Sequence, residues 1–270
     1  MPELPEVEVI CRQLNEVLPG QEITGIKVHL AKAFADPQGL LPELIGTRFT
    51  EVQRRGKYLL LYTERLVLVG HLRMTGALLY RTHAASISHV RVEIRLAPPA
   101  VLYFKDVRTF GGLTLLRRVD LAEYPPLLKL GPEPLSPQTS ELALYTASRG
   151  RKVALKTLLL DQRVIAGVGN IYADEALFLA GLRPKMRADR LTRPKARRLL
   201  AALKTVFTQS IEDGGTSFRD YRDSAGKRGL HVQRLAVYGR KGLPCKRCQR
   251  PLQSIRLGGR TTVYCPHCQK

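Results

Sequence analysis

The sequence predicts an α+β protein: a β-rich, sandwich-like N-terminal domain carrying one amphipathic helix, then a helical domain that ends in a ribbon closed by four cysteines. Three observations predict it. Apolar residues recur at helical spacing at the N-terminus and again beyond residue 139, while residues 22–117 break into short runs rich in β-branched and aromatic residues. The chain closes as Cys245-x2-Cys248 and Cys265-x2-Cys268, the spacing at which two knuckles present four thiolates tetrahedrally to one zinc ion.

Each element follows from its own pattern. Residues 5–18 place Val7, Ile10, Cys11, Leu14, Val17 and Leu18 on one helical face and stop at Pro19-Gly20, so Cys11 is a core residue. Strands are expected at 22–30, 47–54, 58–63, 66–70, 77–81, 90–96, 101–105 and 113–117. The proline-dense stretch 124–137 suits a linker. Apolar residues three and four apart then predict helices at 140–148, 153–161, 171–180 and 194–211. The expected domains are 1–130, β-rich; 131–223, helical; and 224–270, a loop region followed by the ribbon.

Charge narrows the partners. The 270 residues carry a formal charge of +21, and from Ser224 to Lys270 there are eleven Lys or Arg and no Asp or Glu, a tail suited to a nucleic-acid backbone. No apolar run reaches membrane-spanning length, and Met-Pro-Glu-Leu-Pro-Glu is acidic and proline-broken where a signal peptide is basic and then apolar. The expectation is a protein of the cytosol or nucleoid with no membrane partner. In a reducing compartment the four terminal cysteines favour one structural zinc over two disulfides. Such a site contributes about 10 kcal/mol or more to folding a segment too small for its own core.

Several residues carry chemistry. With Met1 removed, Pro2 presents a secondary amine that can attack a sugar's anomeric carbon and, on losing its single N–H proton, form a cationic iminium; the plain alternative is that Pro2 stiffens a leader and Glu3 is a solvated charge. Lys57 stands before an apolar strand, either as an edge charge or as a cation aimed at a site. Asn170 follows Gly167-Val168-Gly169 at the start of a helical pattern, where an N-cap and a phosphate contact are compatible roles. Arg260 follows Gly258-Gly259, at the tip of a hairpin clamped by the metal. His267 lies between the last two cysteines and is expected in solvent.

Segments along the whole chain resemble the bacterial formamidopyrimidine-DNA glycosylases: Met1-Pro2-Glu3-Leu4-Pro5-Glu6-Val7-Glu8, Gly56-Lys57-Tyr58-Leu59, His71-Leu72-Arg73-Met74-Thr75-Gly76, Asp106-Val107-Arg108-Thr109-Phe110-Gly111, Gly167 through Glu175, Val237-Tyr238-Gly239-Arg240, and Gly259 through Cys268. The resemblance implies a helix-two-turn-helix domain and a base-excision-repair enzyme that removes oxidised purines, chiefly 8-oxoguanine and formamidopyrimidines, then cuts the abasic strand by β- and δ-elimination. It implies that Pro2 is the nucleophile, that Glu3 protonates the deoxyribose ring oxygen, that Lys57 contacts phosphate and aids proton transfer, and that Arg260 clamps phosphate and takes part in δ-elimination. Glu6 is expected to support Pro2 and Glu3 without a step of its own.

The resemblance further implies that Met74, Arg108 and Phe110 fill the gap left by an extruded base, with the Arg108 guanidinium on the orphaned cytosine. His89, Arg151, Lys156 and Asn170 are expected to contact the DNA backbone. The partner is double-stranded DNA bearing oxidised purines or abasic sites, and the enzyme is expected to act as a monomer. The chain departs from the family pattern at Gly226-Lys227-Arg228-Gly229-Leu230-His231-Val232, where bulky aromatics commonly follow the second glycine. Two rivals remain at this stage: the related endonuclease VIII branch, which removes oxidised pyrimidines, and a non-catalytic zinc-stabilised DNA-binding protein.

Overall fold

Helix α1 (Leu4–Val17) begins on a reciprocal capping box between Glu3 and Glu6, with a proline in its first turn where a missing N–H costs nothing. It buries Val7, Ile10 and Leu14 completely. The computed structural model describes residues 2–97 and 99–270, which separate into two compact units.

The first unit comprises the residues up to Leu128 together with Ile211–Val232. After α1 come β1 (Glu22–Val28), the two-residue β2 (Phe34–Ala35), a single helical turn α2 (Leu41–Leu44), β3 (Glu51–Arg55), β4 (Tyr58–Tyr62), β5 (Leu66–His71), β6 (Gly76–Arg81), β7 (Val90–Ala97), β8 (Ala100–Asp106), β9 (Gly112–Arg117) and a turn α3 (Pro125–Leu128). They form two sheets, β1-β7-β8-β6 and β2-β9-β5-β4-β3. All pairings are antiparallel except β2 with β9. One core joins the inner faces of both sheets and α1: Leu59, Leu61 and Leu68 from one sheet, Leu78, Ile94, Leu102 and Phe104 from the other, and Ile10 and Leu14 from the helix. The eight strands expected from short β-rich runs are all present; the two-residue β2 is too short to be read.

The segment after residue 210 packs differently from the expected domains. Thr216 N–H donates to Glu6 Oε1 (2.8 Å), Gln13 bonds both Asp223 and Ser224, Tyr80 N–H donates to Ser224 O (3.0 Å), and Tyr221 enters the core. These side-chain-to-loop bonds, invisible to local patterning, attach 211–232 to the β-rich unit.

The second unit, Lys129–Ser210 with Gln233–Lys270, contains α4 (Glu141–Ser148), α5 (Leu155–Leu160), α6 (Asn170–Leu179), most of α7 (Arg193–Glu212), and the ribbon strands β10 (Gln253–Leu257) and β11 (Arg260–Tyr264). Helix α6 is buried from Ile171 to Phe178, including Asp174 and Glu175. Among the described residues no helix is long and apolar enough to cross a membrane.

Candidate functional site

The candidate nucleophile sits in a buried, acid-lined corner of the first unit. Pro2 is buried, Glu3 is 2% exposed and Glu6 1%. Glu3 N–H donates to Glu6 Oε2 (2.8 Å) while Glu6 Oε1 accepts from Thr216 N–H (2.8 Å), so both oxygens of Glu6 are engaged in fixing backbone. That suits a supporting role. Met1, whose removal the sequence reading requires, lies outside the described residues.

The turn that holds Lys57 is tied to α1 by a device sequence reading missed. Gly56 (φ 55°) and Lys57 form the two-residue turn between β3 and β4, and a glycine leading such a hairpin supplies the positive φ it needs. Arg54 Nε donates to Glu8 Oε2 on α1 (2.7 Å), and its Nη1 donates to Gly56 O (3.0 Å), tying the turn to the helix that begins at the candidate catalytic residues. Burial pushes the Glu8 carboxyl up, but the Arg54 and Arg12 guanidiniums outweigh it and hold the group below its ordinary value. The Lys57 side chain is only 8% exposed, unlike a solvated edge charge.

The residues expected to fill a vacated base position stand on two adjoining turns. Met74 (37% exposed) lies between β5 and β6, and Arg108 and Phe110 (58% exposed) between β8 and β9, with the Arg108 guanidinium 5.0 Å from the Phe110 ring centre. The turns meet backbone to backbone: a Cβ on Gly111 would fall 2.7 Å from His71 O. We therefore expect Gly111→Ala to lower stability by about 1–3 kcal/mol through overpacking, read as a lower thermal midpoint. His89 is exposed at φ 60° just before β7.

His71 was not singled out from sequence. Its Nδ1 accepts the Arg73 N–H (3.0 Å), which leaves the proton on Nε2, and its ring packs edge-on against Tyr58. Burial, with Arg73 and Lys57 nearby, pushes its pKa down to about 3, so it is a neutral N–H donor at physiological pH.

In the second unit, Gly169 holds the N-cap position of α6 and Asn170 is the first helical residue, a correction to the expectation that Asn170 is itself the cap. Asn170 Nδ2 instead donates to Thr261 O (3.2 Å), next to Arg260. The Gly-Val-Gly turn before it is clasped by Gln162, which accepts from Gly167 N–H (2.9 Å) and donates to Val168 O (2.8 Å). Lys156 corrects a second expectation. Expected on phosphate, it is fully buried: its ammonium contacts Asp174 Oδ1 (2.7 Å) and donates to Thr261 O (3.1 Å) and Thr262 Oγ1 (2.9 Å). Burial pushes the Asp174 carboxyl up to about 7, although Lys156 pulls the other way. Arg151 is exposed and shares Asp161 with Arg163.

Arg260 is exposed and opens β11 directly after Gly258 (φ 52°) and Gly259 (φ 74°), two positive φ values as a type I′ hairpin turn requires. Below that hairpin the four cysteine sulfurs lie within 4.8 Å of one another, with Cys245–Cys268 at 3.9 Å and Cys248–Cys265 at 3.5 Å. A tetrahedral zinc–thiolate centre needs sulfurs about 3.8 Å apart, so the donor set fits one zinc ion. Backbone N–H groups of Arg247 and Cys268 point at Cys245 and Cys265 sulfurs (3.4 Å each), as knuckles supporting thiolates do. His267 is exposed beside Arg250 and is not part of the set.

Comparison with known proteins agrees with this layout. Three family models match in order: the formamidopyrimidine-DNA glycosylase N-terminal domain over residues 1–113, the formamidopyrimidine-DNA glycosylase H2TH domain over 130–222, and a zinc finger found in FPG and IleRS over 242–270. The formamidopyrimidine-DNA glycosylase of Desulfitobacterium hafniense is 42% identical over 279 residues covering 100% of both chains, and that of Moorella thermoacetica 45% identical over 260 residues covering 95% of each. The crystal structure of the MutM (FPG) protein from Thermus thermophilus matches with a TM-score of 0.89 and 43% identity over 99% of this chain and 98% of that one. A complex between Lactococcus lactis Fpg and abasic-site-containing DNA matches with a TM-score of 0.91 and 33% identity over 99% of each chain. Fold, ribbon and full-length similarity agree, and this chain belongs to the formamidopyrimidine-DNA glycosylase family.

Proposed function

We propose that the protein is a bifunctional DNA glycosylase and abasic-site lyase acting on oxidised purines in duplex DNA. The observation that carries the reading is that Pro2 and Glu3 are buried together at the start of α1, so removal of Met1 would leave a secondary amine next to a carboxyl, with Arg54 tying the turn that holds Lys57 to the same helix. Burial strips competing water from an amine and a carboxyl that must exchange protons. The Pro2 nitrogen attacks the anomeric carbon of the extruded nucleotide as the base departs with the amine's N–H proton, and Glu3 protonates the ring oxygen so that the sugar opens to an iminium. Loss of the sugar's C2′ proton expels the 3′-phosphate, and a second elimination expels the 5′-phosphate. Lys57 and Arg260 hold phosphate through these steps, and Asn170 and Arg151 add backbone contacts. The Nε2–H of His71, kept neutral, is a further donor. Zinc takes no part in the chemistry; bound by Cys245, Cys248, Cys265 and Cys268, it holds the hairpin that presents Arg260.

Purine lesions are supported by a Lactococcus lactis FPG mutant solved with Fapy-dG containing DNA, while the wild type of that relative was also solved with oxidised-pyrimidine-containing DNA. Excision from 8-oxoguanine:C and thymine glycol:A duplexes tests the choice, and faster release of thymine glycol would move the protein to the pyrimidine branch. With 44 Lys and Arg against 23 Asp and Glu, duplex affinity should fall steeply with salt. We expect Arg108→Ala to weaken the preference for cytosine opposite the lesion by on the order of tenfold, the worth of one lost base-edge contact. Excision rates from 8-oxoguanine:C and 8-oxoguanine:A duplexes provide the check. The protein acts as a monomer in the bacterial nucleoid.

A further inference from the structure

The turns bearing Met74, Arg108 and Phe110 converge on a single side chain that the chemistry does not use, and the His89 turn meets the backbone of the same residue. Asp106, the last residue of β8, is completely buried. Its Oδ1 accepts from Thr75 Oγ1 (2.5 Å) in the Met74 turn and from Arg108 N–H (3.2 Å); its Oδ2 accepts from Gly111 N–H (2.8 Å). Its backbone N–H donates to His89 O (3.1 Å), and its carbonyl accepts from Arg91 Nε (2.8 Å). Thr75 Oγ1 also accepts from Arg108 N–H (3.0 Å), so the two turns share a short network.

The backbone around this carboxylate is under constraint. Arg73 (φ 51°), His89 (φ 60°) and Thr109 (φ 57°) are left-handed although each carries a side chain, and among the described residues only Gln249 joins them. Residues of this kind persist where surrounding bonds over-determine them, and that is common at sites preorganised for a ligand. Met74 follows the first of the three, and Thr109 stands between Arg108 and Phe110.

We propose that Asp106 is a positioning residue that holds the Met74 and Arg108–Phe110 turns as one rigid wedge before DNA arrives. The inference deepens the glycosylase reading and rests on it. An unbound wedge locked in its working shape loses little conformational freedom on entering the base stack, so the cost of extruding a base is met without first ordering two loops. Asp106 touches no substrate. Its effect reaches only those reactions that need a nucleotide driven out of a duplex.

That restriction supplies the test. Zinc-loaded full-length protein is assayed on an 8-oxoguanine:C duplex and on single-stranded abasic DNA, which has no stack to open. Asp106→Asn keeps the volume but faces one turn with a donor where it needs an acceptor; Thr75→Val removes the link to the Met74 turn and leaves Asp106 bound to Arg108 and Gly111. We expect either change to slow duplex excision by about tenfold or more, and to change single-strand cleavage by less than about twofold. The preference for cytosine opposite the lesion should weaken as it does in Arg108→Ala. Equal loss on both substrates, or no loss on either, overturns the proposal. If Asp106→Asn does not fold, Thr75→Val decides by the same split. Should the wild type neither excise the lesion nor form a reducible adduct, the glycosylase reading fails and takes this inference with it.

Discussion

Leaving Met1 on the chain should abolish the covalent adduct that borohydride traps between the protein and abasic DNA, and should lower strand cleavage by about three orders of magnitude or more. The Pro2 nitrogen is then a tertiary amide whose lone pair is delocalised into the carbonyl, so it can neither attack the anomeric carbon nor become an iminium nitrogen. The remaining machinery is untouched. Lys57, Asn170 and Arg260 keep their places, and duplex affinity, dominated by phosphate neutralisation, should stay within a few-fold of wild type with the same salt slope. This separation of binding from chemistry distinguishes a nucleophilic N-terminus from a leader that merely stiffens the chain. Mass spectrometry of the trapped species should place the reduced sugar on the N-terminal peptide. An adduct formed in full yield by the Met1-bearing chain would show that another amine does the work, and Lys57 would be the next to examine.

The parts of the molecule legible in the sequence are those written in local periodicity and fixed spacing. Short continuous apolar runs in Tyr58–Tyr62 and Leu66–His71 give strands, the i, i+3, i+4 face of Val7, Ile10 and Leu14 gives α1, and the two Cys-x2-Cys pairs give the ribbon. What could not be read is carried by polar side chains that reach distant backbone. Asp106 bonds a turn 31 positions earlier in the chain, and Glu6 an N–H 210 positions later. Arg54 joins Glu8, 46 residues away. No window holds both partners of such a bond. Lys156 shows the same blindness from the other side. A lysine in a cationic helical segment resembles a phosphate ligand, and only the folded chain places Asp174, 2.7 Å away, in the same dry interior. Removing one member of a fully buried pair leaves the other charge uncompensated, so Lys156 matters to the integrity of the second unit whatever it does for DNA.

Zinc removal should have the second large effect, because the ribbon has almost no core of its own. Its buried cluster consists of Phe178, Val237, Leu252 and Val263 with Cys245 and Cys265, so two of its members are metal ligands. The metal contributes about 10 kcal/mol or more, against the few that so small an apolar cluster provides. Chelation, or Cys265→Ser, should therefore unfold residues 242–270 as a unit. Loss of β11 also strips partners from the interior it covers: Val263 N–H leaves Asp174 Oδ2 (3.0 Å), and Thr261 and Thr262 leave Lys156. A buried ion pair deprived of its hydrogen bonds is costly, so disorder should spread into α5 and α6. Amide exchange read by mass spectrometry should show protection lost across β10, β11 and residues 236–238, whose N–H groups Glu175 accepts, with β4 and β5 still protected. Strand cleavage should fall to near background once Arg260 is no longer held, and added zinc should restore both protection and activity. A fully chelated protein that kept β10 and β11 protected would mean that apolar packing alone sustains the hairpin, and the metal's structural role would have to be given up.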